Sequence, residues 1–223
     1  MLDPDRLFPL EKSARRLARD LYKTVSDLPI ISPHGHTDPR WFAENCKFPD
    51  PAQLFVTPDH YVFRMLYSQG VQLEDLGLSR LDCANKVVDG RKIWRLFAEN
   101  YYLLRSTPSK MWIDHSFENV FGLTDAFSPK TADTFYDHIA ECLNRDEFRP
   151  RELFTRFGIE VLSTTENPLD PLNHHKAIQA SGWTGRVITA YRPDNVIDPE
   201  FESFAENIDY QRDGTYVVME GPQ

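Results

Sequence analysis

No run of apolar residues approaches the roughly 20 that span a bilayer. The opening MLDPDRLFPLEKSARR breaks any apolar stretch with acids and prolines, where a signal peptide needs an uninterrupted one. The sequence therefore predicts a cytoplasmic protein with no membrane partner. Cysteine is scarce. Cys46, Cys83 and Cys142 are odd in number and far apart, which suits neither a disulfide framework nor a zinc-finger pattern. Two of the three fit buried core positions instead. Positive charge is short as well: 25 Lys and Arg face 34 Asp and Glu, a formal net charge of −9. Such a balance excludes a general nucleic-acid binder, which needs clustered basic residues to neutralise phosphates. It leaves a small anionic substrate open, because a local arginine can hold one carboxylate inside an acidic protein. Repeats and low-complexity segments are absent.

What is there reads as globular. With 41% hydrophobic and 13% aromatic residues, the 223-residue chain can bury a real core as one large domain or two small ones. Residues 11–26, EKSARRLARDLYKTVS, place Ala14, Leu17, Ala18, Leu21, Tyr22 and Val25 on one helical face, with charges opposite. Asp27 and Pro29 stop that helix, and 28–34 reads as a short buried strand. A long helical and loop-rich stretch follows, without a clear strand until about residue 159. Within it, 93–104 spaces Ile93, Phe97, Tyr101 and Leu104 on one face, and 131–143 does the same with Phe135, Ile139 and Cys142.

The rhythm then changes. RELFTRF (151–157) reads as a helix capped by Gly158, and GIEVLSTT (158–165) as a strand. Asp170 and Pro171 look like a helix start, Gly182 closes that helix, and RVITAY (186–191) is the next strand. Helix and strand in alternation predict parallel α/β architecture. Three good strands, and a weak fourth at Tyr216 to Met219, fall short of the eight that close a parallel barrel. The chain is not expected to close one by itself.

Candidate chemistry gathers where strands run out. In LPIISPHGHTDP, His34 and His36 sit two apart. In extended backbone they share a face, with Cα atoms about 6.5–7 Å apart. Two imidazoles so placed can converge on one ion, at roughly 2.0–2.1 Å for zinc. Gly35 removes a side chain from between them and permits unusual backbone angles. The plainer reading is a polar loop with both rings facing water or local carbonyls. Thr164, Thr165, Glu166 and Asn167, in STTENPLD, can hydrogen-bond a polyol, or can serve turn chemistry with capping by Asp170. Arg192 follows an apolar strand and precedes Pro193. It can grip a carboxylate bidentately or pair with Asp194 on the surface. DHYVFR (59–64) sets Tyr61 beside His60, and could also be an ordinary helix start. His174 and His175 lie side by side within a helix, so their rings diverge and shared ligation is not expected.

The HGH after LPIISP, the DHY segment, the TTENP turn and the YRPD turn, in this order, resemble the uronate (glucuronate) isomerases of the amidohydrolase superfamily. The resemblance runs from the N-terminus to about residue 208. It implies an α/β fold, namely part of a TIM-type (β/α)8 barrel of the metal-dependent hydrolase kind, with a long helical insertion after strand 1 at about 40–150. Residues 209–223 form a divergent tail. It further implies that His34 and His36 are metal ligands for a divalent ion such as zinc. Arg192, with His60 and Tyr61, would face the carboxylate and hydroxyls of a hexuronate. The implied reaction interconverts D-glucuronate with D-fructuronate and D-galacturonate with D-tagaturonate, as an aldose–ketose isomerisation. The family's third metal ligand is an aspartate of the last barrel strand, expected beyond residue 223, so no catalytic residue is assigned within the chain. The sequence is thus expected to be a truncated N-terminal half, acting as a homo-oligomer or with a complementing C-terminal chain. Two alternatives stay open: another metal-dependent hydrolase of the same superfamily, and a non-catalytic fragment.

Overall fold

The structure, a computed structural model, describes residues 2–78 and 88–212. Its elements begin with α1 (Lys12–Tyr22), β1 (Ile30–Ser32), α2 (Pro39–Glu44), α3 (Pro51–Phe55) and α4 (His60–Tyr67). Next come α5 (Gly90–Glu99), α6 (Pro108–His115), α7 (Ala132–Leu143) and α8 (Pro150–Arg156). The remainder is β2 (Ile159–Glu166), α9 (Asn173–Ala180), β3 (Arg186–Tyr191), α10 (Asp194–Ile197) and α11 (Phe204–Arg212). The chain divides into a helical unit, residues 1–26 with 47–149, and a sheet unit, residues 27–46 with 150–223. No helix among the described residues is long and apolar enough to cross a membrane.

The helical unit is built around aromatic rings. Trp94, Phe97 and Phe135 are fully buried, with Phe117, Phe127 and Tyr101 packed beside them. Trp94 and Phe127 lie 5.1 Å apart with planes tilted by 57°, and Phe117 and Phe135 lie 5.2 Å apart edge-on at 78°, the inclined arrangements that ring quadrupoles favour over a face-to-face sandwich. The Trp94 indole N–H donates to the Ala132 carbonyl at 2.9 Å, so its burial leaves no donor unmatched. The helix expected over 93–104 breaks at Asn100, where a 3-10 turn over Tyr101–Leu104 takes over. There the Asn100 side chain donates to the Leu96 carbonyl at 2.9 Å and competes with the backbone ladder. Helix α1 ends at Tyr22, short of Val25, and none of its residues is buried: Leu17 and Leu21 are 61% and 62% exposed.

Among the described residues the sheet unit holds three parallel strands in the order β1-β2-β3. Strand β2 is the middle one, and Val161 to Thr164 are buried on both faces, as a central parallel strand requires. It pairs Ile31 with Val161 on one side and Val161 through Glu166 with Arg186 through Tyr191 on the other. Phe42 of α2, Phe154 of α8 and Ile178 of α9 cover Leu162 and Val187 as the core of this unit. Phe42 stacks on Trp183 at 5.8 Å and 8°. The chain turns from α8 into β2 through Gly158 at φ +63°, a left-handed position that suits glycine. Helix α9 begins two residues later than the Asp170-Pro171 pair predicts, because the Asp170 carboxylate accepts from the Leu172 N–H at 2.7 Å and closes a turn first. Cys142 is buried as expected, Cys46 is exposed, and Cys83 lies outside the described residues, as does the expected strand at Tyr216 to Met219.

Candidate active site

Strand β1 ends at Ser32, so His34 lies just past the last paired residue instead of within the strand. The two rings nonetheless converge. His34 Nε2 and His36 Nε2 are 3.1 Å apart, and the ring planes meet at 75°. Two nitrogens bound to one tetrahedral zinc at roughly 2.0–2.1 Å would stand about 3.3 Å apart, so the observed gap is close to a ligand edge. Without an ion, one Nε2–H donates to the other nitrogen's lone pair. At Gly35 the tight constraint is space and not backbone angle, since its φ is not in the left-handed region. A Cβ on it would stand 3.1 Å from the Ser163 carbonyl of β2. The Thr165 hydroxyl donates to the Gly35 carbonyl at 2.9 Å. Strand β2 therefore clamps the loop between the histidines, which holds both rings at one strand end. Asp38 is occupied as the cap of α2, accepting from the Arg40 N–H at 2.8 Å. Among the described residues no third His, Cys, Asp or Glu completes a metal-holding group.

The end of β2 is polar and hydrogen-bonded. Thr164 is fully buried, with its hydroxyl 2.9 Å from His175 Nε2 on α9. That contact gives His175 a structural partner, and burial pushes its imidazole below the usual histidine range. Asn167 shapes the turn after β2, its side-chain carbonyl accepting from the Leu169 N–H at 2.8 Å. At the end of β3, Arg192 Nε donates to Asp194 at 2.9 Å, with both side chains exposed. Thr165, Glu166, Asn167, Arg192, Asp194 and Asn195 line a cleft of 240 Å³ at these strand ends. Asn195 is not foreseeable in the sequence, where it is one more polar residue after a proline turn.

His60 and Tyr61 belong to the helical unit, in the first turn of α4. Asp59 caps that turn, accepting from the Tyr61 and Val62 N–H groups. The two rings lie 4.1 Å apart, and Tyr61 is exposed. The helix-start reading of DHYVFR holds, and it leaves both side chains outside the helix's own hydrogen bonding. His174 is exposed while His175 is buried, so the adjacent pair diverges as expected.

Known proteins of one family resemble the chain along most of its length. A family model described as glucuronate isomerase matches residues 8–219. The uronate isomerase of Mesorhizobium japonicum is 60% identical over 209 residues, covering 94% of this chain and 45% of that protein. That of Rhizobium meliloti is 56% identical with the same coverage. Among solved structures, glucuronate isomerase from Caulobacter crescentus superposes with a TM-score of 0.88 at 51% identity, over 96% of this chain and 44% of that one. Uronate isomerase from Thermotoga maritima does so with a TM-score of 0.80 at 25% identity, again over 96% of this chain and 44% of that one. The chain spans less than half the length of the curated relatives it matches. On a family match covering most of its residues, the chain belongs to the glucuronate isomerase family.

Proposed function

We propose that the chain supplies the first metal-binding corner and a carboxylate grip of a uronate isomerase, converting D-glucuronate to D-fructuronate and D-galacturonate to D-tagaturonate. The observation that carries this is the convergence of His34 and His36 to 3.1 Å at the first parallel strand's end, in a member of this family. A divalent ion such as zinc would orient hydroxyls and stabilise developing oxyanion charge. His34 and His36 would hold it through Nε2. The third ligand, an aspartate, would come from polypeptide outside residues 1–223, whether a continuation or a complementing C-terminal chain. Arg192 would release Asp194 and take the substrate carboxylate, which can meet the guanidinium through two parallel hydrogen bonds. His60 and Tyr61 would serve the substrate hydroxyls. The isomerisation itself moves one proton from C2 to C1 and a second from O2 to O1 through an enediol, so that C1 is reduced as C2 is oxidised, with no net redox change.

In this reading β1, β2 and β3 are three strands of a (β/α)8 barrel, and the helices of about 40–150 are an insertion after the first. Support comes from the outer strands, where Ile30, Ile31 and Tyr191 remain exposed, as edges awaiting further strands would. The enzyme would work in the cytoplasm on a hexuronate, without nucleic acid or membrane. Zinc titration by calorimetry tests the reading. The wild-type chain should bind one ion, and His34→Ala and His36→Ala should each abolish binding. Zinc affinity unchanged in the double variant would refute it.

A further inference from the structure

Asn195 is held in one orientation by a short chain of hydrogen bonds. A backbone N–H can only donate, so the Asn167 atom 2.8 Å from the Leu169 nitrogen is oxygen. The Asn195 atom 2.9 Å from that same oxygen must then be the amine. The Asn195 carbonyl group of the main chain is also taken, accepting from the Asn207 side chain at 2.9 Å. What remains is the side-chain Oδ1. It is shielded from solvent and finds no donor among the described residues, on a residue only 6% exposed. Buried acceptors left unmatched are rare in folded proteins, and each calls for a missing donor.

The residue's surroundings narrow that donor. Asn195 lines the strand-end cleft together with Arg192. A carboxylate has no proton to offer Oδ1, and with Arg192 beside Glu166 and Asp194 the cleft lacks the single-sign charge that would single out an ion of either sign. A neutral hydroxyl fits both conditions. We propose that Asn195 is a hydroxyl-recognising residue of this cleft, its Oδ1 accepting a hydrogen bond from a polyhydroxy ligand, and that Asn167 is the positioning residue that aims it. The assignment rests on the reading of the cleft as a uronate site, where Arg192 holds the carboxylate. Together the two groups would select a ligand bearing both an acid and an alcohol.

The test uses the full ¹⁵N-labelled chain, titrated with D-glucuronate and separately with D-glucose, which offers hydroxyls without the carboxylate. The side-chain amide signals of Asn195 should shift with both sugars, because a new bond to Oδ1 polarises the carboxamide. The Arg192 Nε–H signal should shift with D-glucuronate alone. Asn195→Ala should weaken D-glucuronate binding roughly tenfold, about 1.4 kcal/mol. The wild-type spectra keep the test valid even where that variant folds poorly. If Arg192 responds and Asn195 does not, the assignment is overturned while the uronate reading stands. If Asn195 responds to both sugars and Arg192 to neither, the assignment stands and the uronate reading falls. Silence at both positions removes both.

Discussion

The helical and sheet units bury different things. The helical unit closes over Trp94, Phe97 and Phe135, and its polar side chains meet one another at the surface, as Arg95 meets Asp133 at 2.9 Å. The sheet unit has a smaller apolar core of Phe42, Phe154, Leu162, Ile178 and Val187. Yet the buried polar side chains among the described residues, Ser163, Thr164, His175 and Asn195, all lie in it. Burying a polar group costs free energy unless it is paired, so a fold places one inside where geometry has to be held. The contrast separates a unit whose interior serves stability from one whose interior aims side chains at strand ends.

Core truncations should show the largest effects. Phe135→Ala removes a ring that is 1% exposed and contacts Phe117 and Phe127, and should cost about 3–5 kcal/mol. Phe154→Ala also leaves a cavity, but beside the stacked Phe42 and Trp183 of a smaller core, and should fall near the lower end of that range. Urea denaturation of both variants checks the order. A larger loss at Phe154 would reverse the contrast.

Buried polar pairs come next. Thr164→Val keeps the shape but leaves His175 Nε2 without its 2.9 Å partner, at roughly 1–3 kcal/mol. The same imidazole sets a pH dependence. Burial lowers its folded pKa below the ordinary 6.5, against the opposing pull of Glu166 and Asp170. The unfolded chain therefore takes up a proton that the folded one resists. This contribution to stability is fully present above the unfolded pKa and is lost as pH falls below it. Urea midpoints compared from about pH 7.5 to about pH 5 should fall more steeply in the wild type than in His175→Gln. Parallel slopes would remove His175 from the account.

Much of this contrast is legible in the sequence. Strands β2 and β3 follow from apolar runs bounded by Gly158, Gly182 and the prolines, and α7 from the spacing of Phe135, Ile139 and Cys142. Local pattern is enough there because each element's neighbours agree with it. The start of α9 departs from its pattern because Asp170 closes an Asx turn in place of capping the helix. The helix at 93–104 stops early because of a side-chain hydrogen bond at Asn100, which is invisible to periodicity. The strand-end residues Arg192 and Thr165 can be named from position alone. The reason for Gly35 cannot, since it depends on the Ser163 carbonyl, distant in sequence. Asn195 stays hidden for the same reason: its orientation is set by Asn167, just past the end of the neighbouring strand and 28 residues away in sequence.

The smallest stability effect should fall on the most chemically exposed residue. Arg192 pairs with Asp194 in solvent, each side chain 58% exposed. Such pairs contribute about 0.2–1 kcal/mol, because water screens the charges and ordering two side chains opposes the gain. Arg192→Ala should therefore leave the urea midpoint nearly unchanged. Asp194→Ala should behave alike, with one difference that carries the interest: it frees the guanidinium. If Asp194 holds Arg192 in reserve for a carboxylate, Asp194→Ala should strengthen D-glucuronate binding while Arg192→Ala abolishes it, both measured by calorimetry on variants of equal stability. Weaker binding in both variants would instead mean that Asp194 orients the arginine. The pair would then work as a unit, and the sheet unit's surface would hold geometry just as its interior does.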